Sequence, residues 1–198
     1  MRASGRSTFA GSLSWDQLAD DVVALVRHLG LTRAVIGGIS SGAGCAVRVA
    51  LRHPAVTEAL VVLTPAFAGA DVGLTPAQQA AMRAMDDAGR RVLTEGMRAL
   101  YPLLETLPAE LRERARATVD TYDPASVAAT TRFLDSGAQP FATAADLAAI
   151  AVPALLVPGT DPTHPPEVSE LYRRHLPRCT VRPGDDASAI ADFIDREL

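Results

Sequence analysis

Three short runs constrain this chain more than any other feature. Ala34 to Gly38 (AVIGG), Ala59 to Thr64 (ALVVLT) and Ala154 to Val157 (ALLV) are apolar without a break. A strand wet on one side alternates apolar and polar side chains, so unbroken runs of this length predict strands covered on both faces. Helical patterns separate them. Ser14-Trp15-Asp16-Gln17 fits a capping box, and Leu18, Val22, Leu25, Val26 and Leu29 then recur on one helical face until Gly30 stops it. Gly42 to Arg52 reads as the helix after the first strand, and Pro166 to His175 as the helix after the third. Cys179 to Arg182 reads as a last short strand and Asp186 to Leu198 as a closing amphipathic helix. Strands alternating with helices imply an α/β fold, a parallel sheet flanked by helices.

The second and third runs are far apart. From Ala68 to about Leu147 the pattern is helical, with starts marked by Thr75-Pro76 and Asp123-Pro124 and no strand-like run between them. The expected division is a core of residues 1–67 and 148–198 with a helical cap inserted at 68–147.

Charge and cysteine content exclude several functions. A net charge of −4 offers no basic field for a phosphate backbone or an anionic membrane, so neither nucleic acid nor a membrane is an expected partner. All 19 basic residues are arginine, which removes Schiff-base chemistry, a Ser-Lys dyad and a Walker-type lysine. Cys45 and Cys179 lack metal-ligand spacing and read as buried small hydrophobes in a reducing compartment. The opening MRASGRSTFAGS has no apolar run behind its arginines, and no segment is long and apolar enough to span a bilayer, so the expected location is cytoplasmic.

The glycines of AVIGGISSGAG (34–44) are compatible with three kinds of turn. A dinucleotide fingerprint running from Gly42 and Gly44 needs a small residue where Val47 stands, and a Walker loop needs a lysine. Gly38-x-Ser40-x-Gly42, between an expected strand and an expected helix, fits a nucleophile elbow. A serine there adopts a strained backbone conformation, tolerated where the residues two before and two after carry no clashing side chain. The Ser41 N–H at the following helix start then points where an oxyanion forms. The alternative is a plain glycine turn with a helix-capping serine.

The chain resembles the α/β-hydrolase family in an ordered series: the SGRS opening, SWDQLADDVVALVRHLGL, AVIGGISSGAG, the RHP ending the next helix, ALVVLTPAF and VPALLVPGTDPTHP. The resemblance implies that Ser40 attacks an acyl carbonyl, that Ser41 donates an oxyanion N–H, and that a histidine and an acid complete the set. Asp161, in VPGTD, stands where many members carry the acid; it also suits a turn-capping aspartate. The histidine of the family usually follows the last strand, where this chain reads Arg182-Pro183-Gly184-Asp185-Asp186. Of the four histidines, His28, His53 and His175 close helices, a position favourable to a partly positive ring. His164 remains. Asp161-Pro162-Thr163-His164 has the makings of a type I turn that brings acid and imidazole within about 7 Å, so His164 is the expected replacement, against the alternative that it only begins a helix.

Family members also carry strands before the SGRS segment, one loop of which supplies a second oxyanion donor. One missing donor is expected to cost about a hundredfold to a thousandfold in turnover. The first strand is then expected to present an open edge, covered by a second copy of the chain (a homo-oligomer) or by an N-terminal segment.

The expected function is a serine hydrolase of a small ester or lactone, without metal or cofactor. Ile39, Phe67, Tyr101, Phe133 and Phe141 are candidate substrate contacts, although aromatics at helical spacing equally suit a core. The alternatives are a hydrolase-like binding or interaction domain, and a non-hydrolytic enzyme such as a lyase or cyclase.

Overall fold

A computed structural model describes residues 2–9, 11–105, 107–183 and 187–198. In chain order the elements are α1 (Trp15–His28), β1 (Ala34–Ile39), α2 (Ser41–Arg52), β2 (Thr57–Leu63), α3 (Pro76–Glu95), a 3₁₀ turn at Met97–Leu100, α4 (Tyr101–Leu104), α5 (Ala109–Val119), α6 (Pro124–Asp135), a second 3₁₀ turn at Ala144–Ala149, β3 (Ala154–Val157), α7 (Pro166–His175), β4 (Cys179–Val181) and α8 (Ala187–Glu197). They form two compact units: Trp15–Gln78 with Gln139–Leu198, and Met1–Ser14 with Gln79–Ala138.

The first unit holds the sheet. Among the described residues it has four strands in the order β1-β2-β3-β4, every neighbouring pair parallel. The unbroken apolar runs are explained by burial on two faces. Ala59, Val61, Leu63, Leu155 and Val157 share one face and pack with Phe193 of α8, while Ile36, Leu60, Val62, Ala154 and Leu156, pointing the opposite way along the same strands, are buried too. Arg48 of α2 reaches Asp16 of α1 at 2.6 Å and ties these helices together. Cys45 and Cys179 are free thiols, and burial pushes Cys45 up to about 11, so it is a protonated filler of the core.

Strand limits differ slightly from those read along the chain. β1 continues through Ile39, which pairs with Leu63, and α2 begins at Ser41, so Ser40 alone joins strand to helix. β2 begins at Thr57 because Ala34 pairs there before an irregularity in register. The expected start of the last helix at Asp186 lies outside the described residues. β1 forms an edge of the sheet among the described residues.

The second unit is helical. The proline signals behave as capping physics dictates: Asp123 accepts from the Ser126 N–H to open α6, with Pro124 at its first position. Gly89 of α3 lies so close to Thr131 of α6 that a side chain there would overlap the hydroxyl, which is how these two helices approach. No helix of the described residues is long and apolar enough to cross a membrane.

Leu155 is fully buried at the centre of the sheet, whereas Leu25 on α1 is 56% exposed. Leu155→Ala is expected to lower unfolding stability by about 2–5 kcal/mol in a urea titration, and Leu25→Ala by less than about 0.5 kcal/mol.

Candidate active site

Ser40 has φ 55° and ψ −114°, a left-handed conformation that a side chain disfavours. Its neighbours enforce it. The Ser40 N–H still donates to Leu63 O of β2 at 3.0 Å, and Ser40 O accepts from Gly44 N–H at 3.1 Å, so the residue belongs to the end of the sheet and the start of α2 at once. A Cβ at Gly38 would overlap the backbone of Gly42, whereas a Cβ at Gly42 meets no atom. Both glycines were expected to clear space for the turn. The structure puts that steric demand on Gly38, because Gly42 supplies the backbone that Gly38 approaches while its own Cβ direction is open. At Gly44 a Cβ would press on Trp15 and Phe67, which lets α2 settle against them. Ser41 begins α2, and its N–H is among the first-turn donors that a helix leaves without an intrahelical acceptor.

The second part of the site is the four-residue turn between β3 and α7. His164 N–H donates to Asp161 O at 3.0 Å, closing it. Asp161 Oδ1 accepts from the Thr163 N–H at 2.8 Å, the Thr163 hydroxyl at 2.5 Å and the His164 N–H at 3.0 Å. Asp161 Oδ2 lies 2.9 Å from His164 Nδ1. The same carboxylate therefore caps the turn through Oδ1 and faces the imidazole with both oxygens, Oδ1 lying 3.1 Å from Nδ1, so the two sequence readings of Asp161 are not exclusive in geometry. The opposite ring nitrogen, Nε2, lies 2.8 Å from Ser40 Oγ. Ser40, His164 and Asp161 thus form a continuous hydrogen-bonded chain.

Several residues that hold this turn were not singled out in the sequence. Gly159 passes so close to His164 that a Cβ would overlap the His164 carbonyl and Cβ. Its N–H donates to the buried Ser169 hydroxyl of α7 at 2.9 Å. Thr163 O accepts from the Gln78 side chain at 3.0 Å. The only sequence signal was local: Gly159 as a strand-end glycine, and Thr75-x-x-Gln78 as a capping box.

Burial is the largest influence on the Asp161 carboxyl and pushes it up. Together the hydrogen bonds from the Thr163 hydroxyl, the His164 ring and the Thr163 N–H, with the charge of His164, outweigh it and bring Asp161 down to about 2. The other histidines are used elsewhere or exposed. His53 Nε2 lies 2.7 Å from Asp20, His175 Nδ1 lies 2.9 Å from Leu171 O, and His28 faces solvent. Positions 184–186 of the loop after the last strand, where the resemblance implies a histidine, lie outside the described residues.

The five candidate substrate contacts are divided between the units: Ile39, Phe67 and Phe141 belong to the sheet unit, Tyr101 and Phe133 to the helical one. Ile39, next to Ser40, is 58% exposed. Phe67 packs edge-on against Trp15 with centroids 4.9 Å apart, and Phe141 likewise against Tyr172 at 5.9 Å; both are buried. In the helical unit Phe133 is buried, and the Tyr101 hydroxyl donates to Asp120 at 2.8 Å.

The family model of the alpha/beta hydrolases matches residues 2–192. An esterase from Thermogutta terrifontis, solved with malate bound, superposes with a TM-score of 0.76 at 22% identity, covering 99% of this chain and 78% of that one. The enol-lactonase of Burkholderia xenovorans LB400 gives 0.75 at 21% identity over 98% and 78%. A Haemophilus influenzae protein carrying an esterase/lipase name is 30% identical over 63 residues, which is 32% of this chain and 22% of that protein.

Two outcomes follow from the geometry. Because Asp161 is lowered, its carboxylate stabilises the fold at every pH above the ordinary value of 3.8, and that contribution is lost as pH falls through about 2. The side chain is half exposed, so the effect on stability is small. A carboxyl-carbon NMR titration is expected to place the Asp161 midpoint near 2, and Thr163→Val to raise it. Gly159→Ala is expected to push His164 away from Ser40, read as a longer Nε2–Oγ separation in a crystal structure of the variant, with β3 and α7 in place.

Proposed function

The chain belongs to the alpha/beta hydrolase family, and we propose that it is a serine hydrolase that cleaves a small carboxylic ester or lactone through an acyl-enzyme on Ser40. The observation that carries this reading is the run of contacts from Ser40 Oγ to His164 Nε2 and from His164 Nδ1 to Asp161. A carboxylate on Nδ1 favours the tautomer with the proton there, which leaves Nε2 bare toward the hydroxyl.

The steps use only these groups. Ser40 Oγ bonds to the substrate carbonyl carbon as its proton passes to His164 Nε2, and Asp161 steadies the imidazolium that forms. The carbonyl oxygen becomes an oxyanion that the Ser41 N–H faces at the start of α2. The C–O bond to the leaving group then breaks, the departing oxygen takes the proton from Nε2, and the acyl group stays on Ser40. Water, deprotonated by the same nitrogen, attacks the acyl carbon; the bond from that carbon to Ser40 Oγ then breaks, Oγ takes the proton back from Nε2, and the acid is freed. In a lactone the leaving oxygen stays tethered to the acyl chain, and the product is a hydroxy acid.

Neutral, compact substrates suit the residue inventory. Ile39 beside the nucleophile is apolar and exposed, so it gives an acyl chain a surface to rest on. The helical block between β2 and β3 is proposed as the cap that selects substrate, with Tyr101 and Phe133 as its aromatic candidates and Phe67 and Phe141 as candidates from the sheet unit.

A fluorophosphonate probe tests the reading, because it bonds to a serine whose hydroxyl is activated. Label on Ser40 by peptide mapping, none in Ser40→Ala, and a loss in His164→Ala of about a thousandfold or more in p-nitrophenyl acetate turnover are expected. Labelling of Ser40 with His164→Ala fully active would remove His164 from the mechanism. No labelling together with no ester turnover would favour the alternative, a hydrolase-like binding domain.

A further inference from the structure

We propose that Gln78 is a positioning residue of the hydrolase: its side-chain amide fixes the peptide plane that carries His164, and so sets the approach of Nε2 to Ser40. The proposal rests on the Ser40 reading above for its kinetic consequence, but not for its structural one.

Gln78 lies in the first turn of α3, far in sequence from the acid–base turn, and is 1% exposed. Part of its role is ordinary capping. Gln78 N–H donates to the Thr75 hydroxyl at 3.2 Å, and Gln78 Oε1 accepts from Thr75 N–H at 3.0 Å, a reciprocal capping box. A box of this kind needs only an acceptor at the side-chain end, which glutamate supplies as well as glutamine. The amide nitrogen is surplus to it. Yet both of its protons are engaged: Nε2 donates to Ala66 O at 2.6 Å and to Thr163 O at 3.0 Å. A buried side chain with every donor and acceptor matched has one stable orientation, and a group carrying donors where two carbonyls converge cannot be exchanged for an acceptor.

What the second bond holds is specific. Thr163 O and His164 N belong to one peptide unit, which is planar. Its N–H end is held by Asp161, through the backbone oxygen and Oδ1, each at 3.0 Å. Its C=O end is held by Gln78. With both ends fixed the plane cannot rotate, and rotation of that plane is the motion that would swing the His164 Cα–Cβ bond away from Ser40. Gly159, packed against the His164 carbonyl and Cβ, limits translation of the histidine that this peptide unit carries. Ala66 O, the other acceptor, lies shortly after β2, so the amide ties the acid–base turn to the strand whose Leu63 O holds the Ser40 N–H. Gln78 is therefore a short brace between nucleophile side and base side, built wholly within the sheet unit.

The test compares Gln78→Glu, which keeps the capping acceptor and turns an oxygen toward two carbonyls, with Thr75→Ala, which weakens the cap and leaves the amide brace. Gln78→Met, of equal length without the amide, serves where the glutamate variant fails to fold, with circular dichroism confirming the fold. Two readouts are taken. The first is the rate of Ser40 labelling by the fluorophosphonate. The second is the pair of ring nitrogen resonances of His164, assigned by comparison with His164→Gln. Gln78→Glu or Gln78→Met is expected to slow labelling by about tenfold to a hundredfold and to move the ring from one tautomer toward a mixture of two. Thr75→Ala is expected to label near the wild-type rate with the ring signals in place. Wild-type ring signals and labelling in both Gln78 variants overturn the proposal, as does an equal slowing in Thr75→Ala, which would make the effect one of helix capping. If wild-type Ser40 takes no label but the Gln78 variants still shift the His164 resonances, the hydrolase reading fails while the brace stands.

Discussion

One residue in a conformation it resists links the sheet to the whole of the proposed site. The backbone of Ser40 costs about 1–3 kcal/mol against an ordinary strand or helix residue, and the surrounding structure holds it from both sides. The β1–β2 ladder runs up to Ser40 N–H, and the first bond of α2 runs back to Ser40 O. Neither could be kept if the residue relaxed, because each fixes one end of the same unit. The absence of a Cβ at Gly38 is what permits the helix backbone at Gly42 to lie so near the strand. In return the hydroxyl stands clear of the sheet beside a helix start, where unpaired N–H groups gather.

Against that long-range constraint, the proposed acid–base element is local. Asp161 and His164 sit three residues apart, and the turn that joins them is made by the acid itself. Separate loops would have to be packed against one another to place an acid and an imidazole; here chain geometry does so. The arrangement also couples the two. Any motion of the turn carries acid and base together, so the Asp161–His164 contact persists while the distance to Ser40 is the quantity left to tertiary structure. Ser169, Gly159 and Gln78 all act on that remaining freedom.

This division explains what was legible in the sequence. Strands, caps and the Asp161–His164 turn depend on periodicity and on residues within a turn of one another, and those signals are written in order along the chain. AVIGG and ALVVLT read as buried strands because burial on two faces leaves no polar position between them. What could not be read is close approach between distant segments. Nothing in VPGTD says that Gly159 must clear the His164 carbonyl, and nothing in TPAQ says that the amide of Gln78 finds Thr163 across the fold. The same limit applied to the elbow. Gly38 and Gly42 look equivalent in a motif, yet only the folded backbone shows which of them a side chain would obstruct. Phe67 and Phe141 carry the same lesson, since nothing in the sequence says that Trp15 and Tyr172 are the rings they meet edge-on.

The exposure of the site decides which physical effect the proposed reaction leans on. Asp161 keeps 53% of its side-chain surface in water and His164 21%, so solvent screens much of the attraction between the carboxylate and an imidazolium. A buried acid can lower a barrier through its field; a wet one contributes chiefly by direction, holding the ring in one tautomer and one plane. Orientation is a property of the backbone that carries the ring, and it is lost by small rotations that leave every hydrogen bond of the turn intact. An acid–base pair assembled in a single exposed turn therefore needs bracing from outside the turn more than a buried pair does, and the buried amide of Gln78, with both protons donated and its oxygen accepting from Thr75 N–H, is placed to supply it.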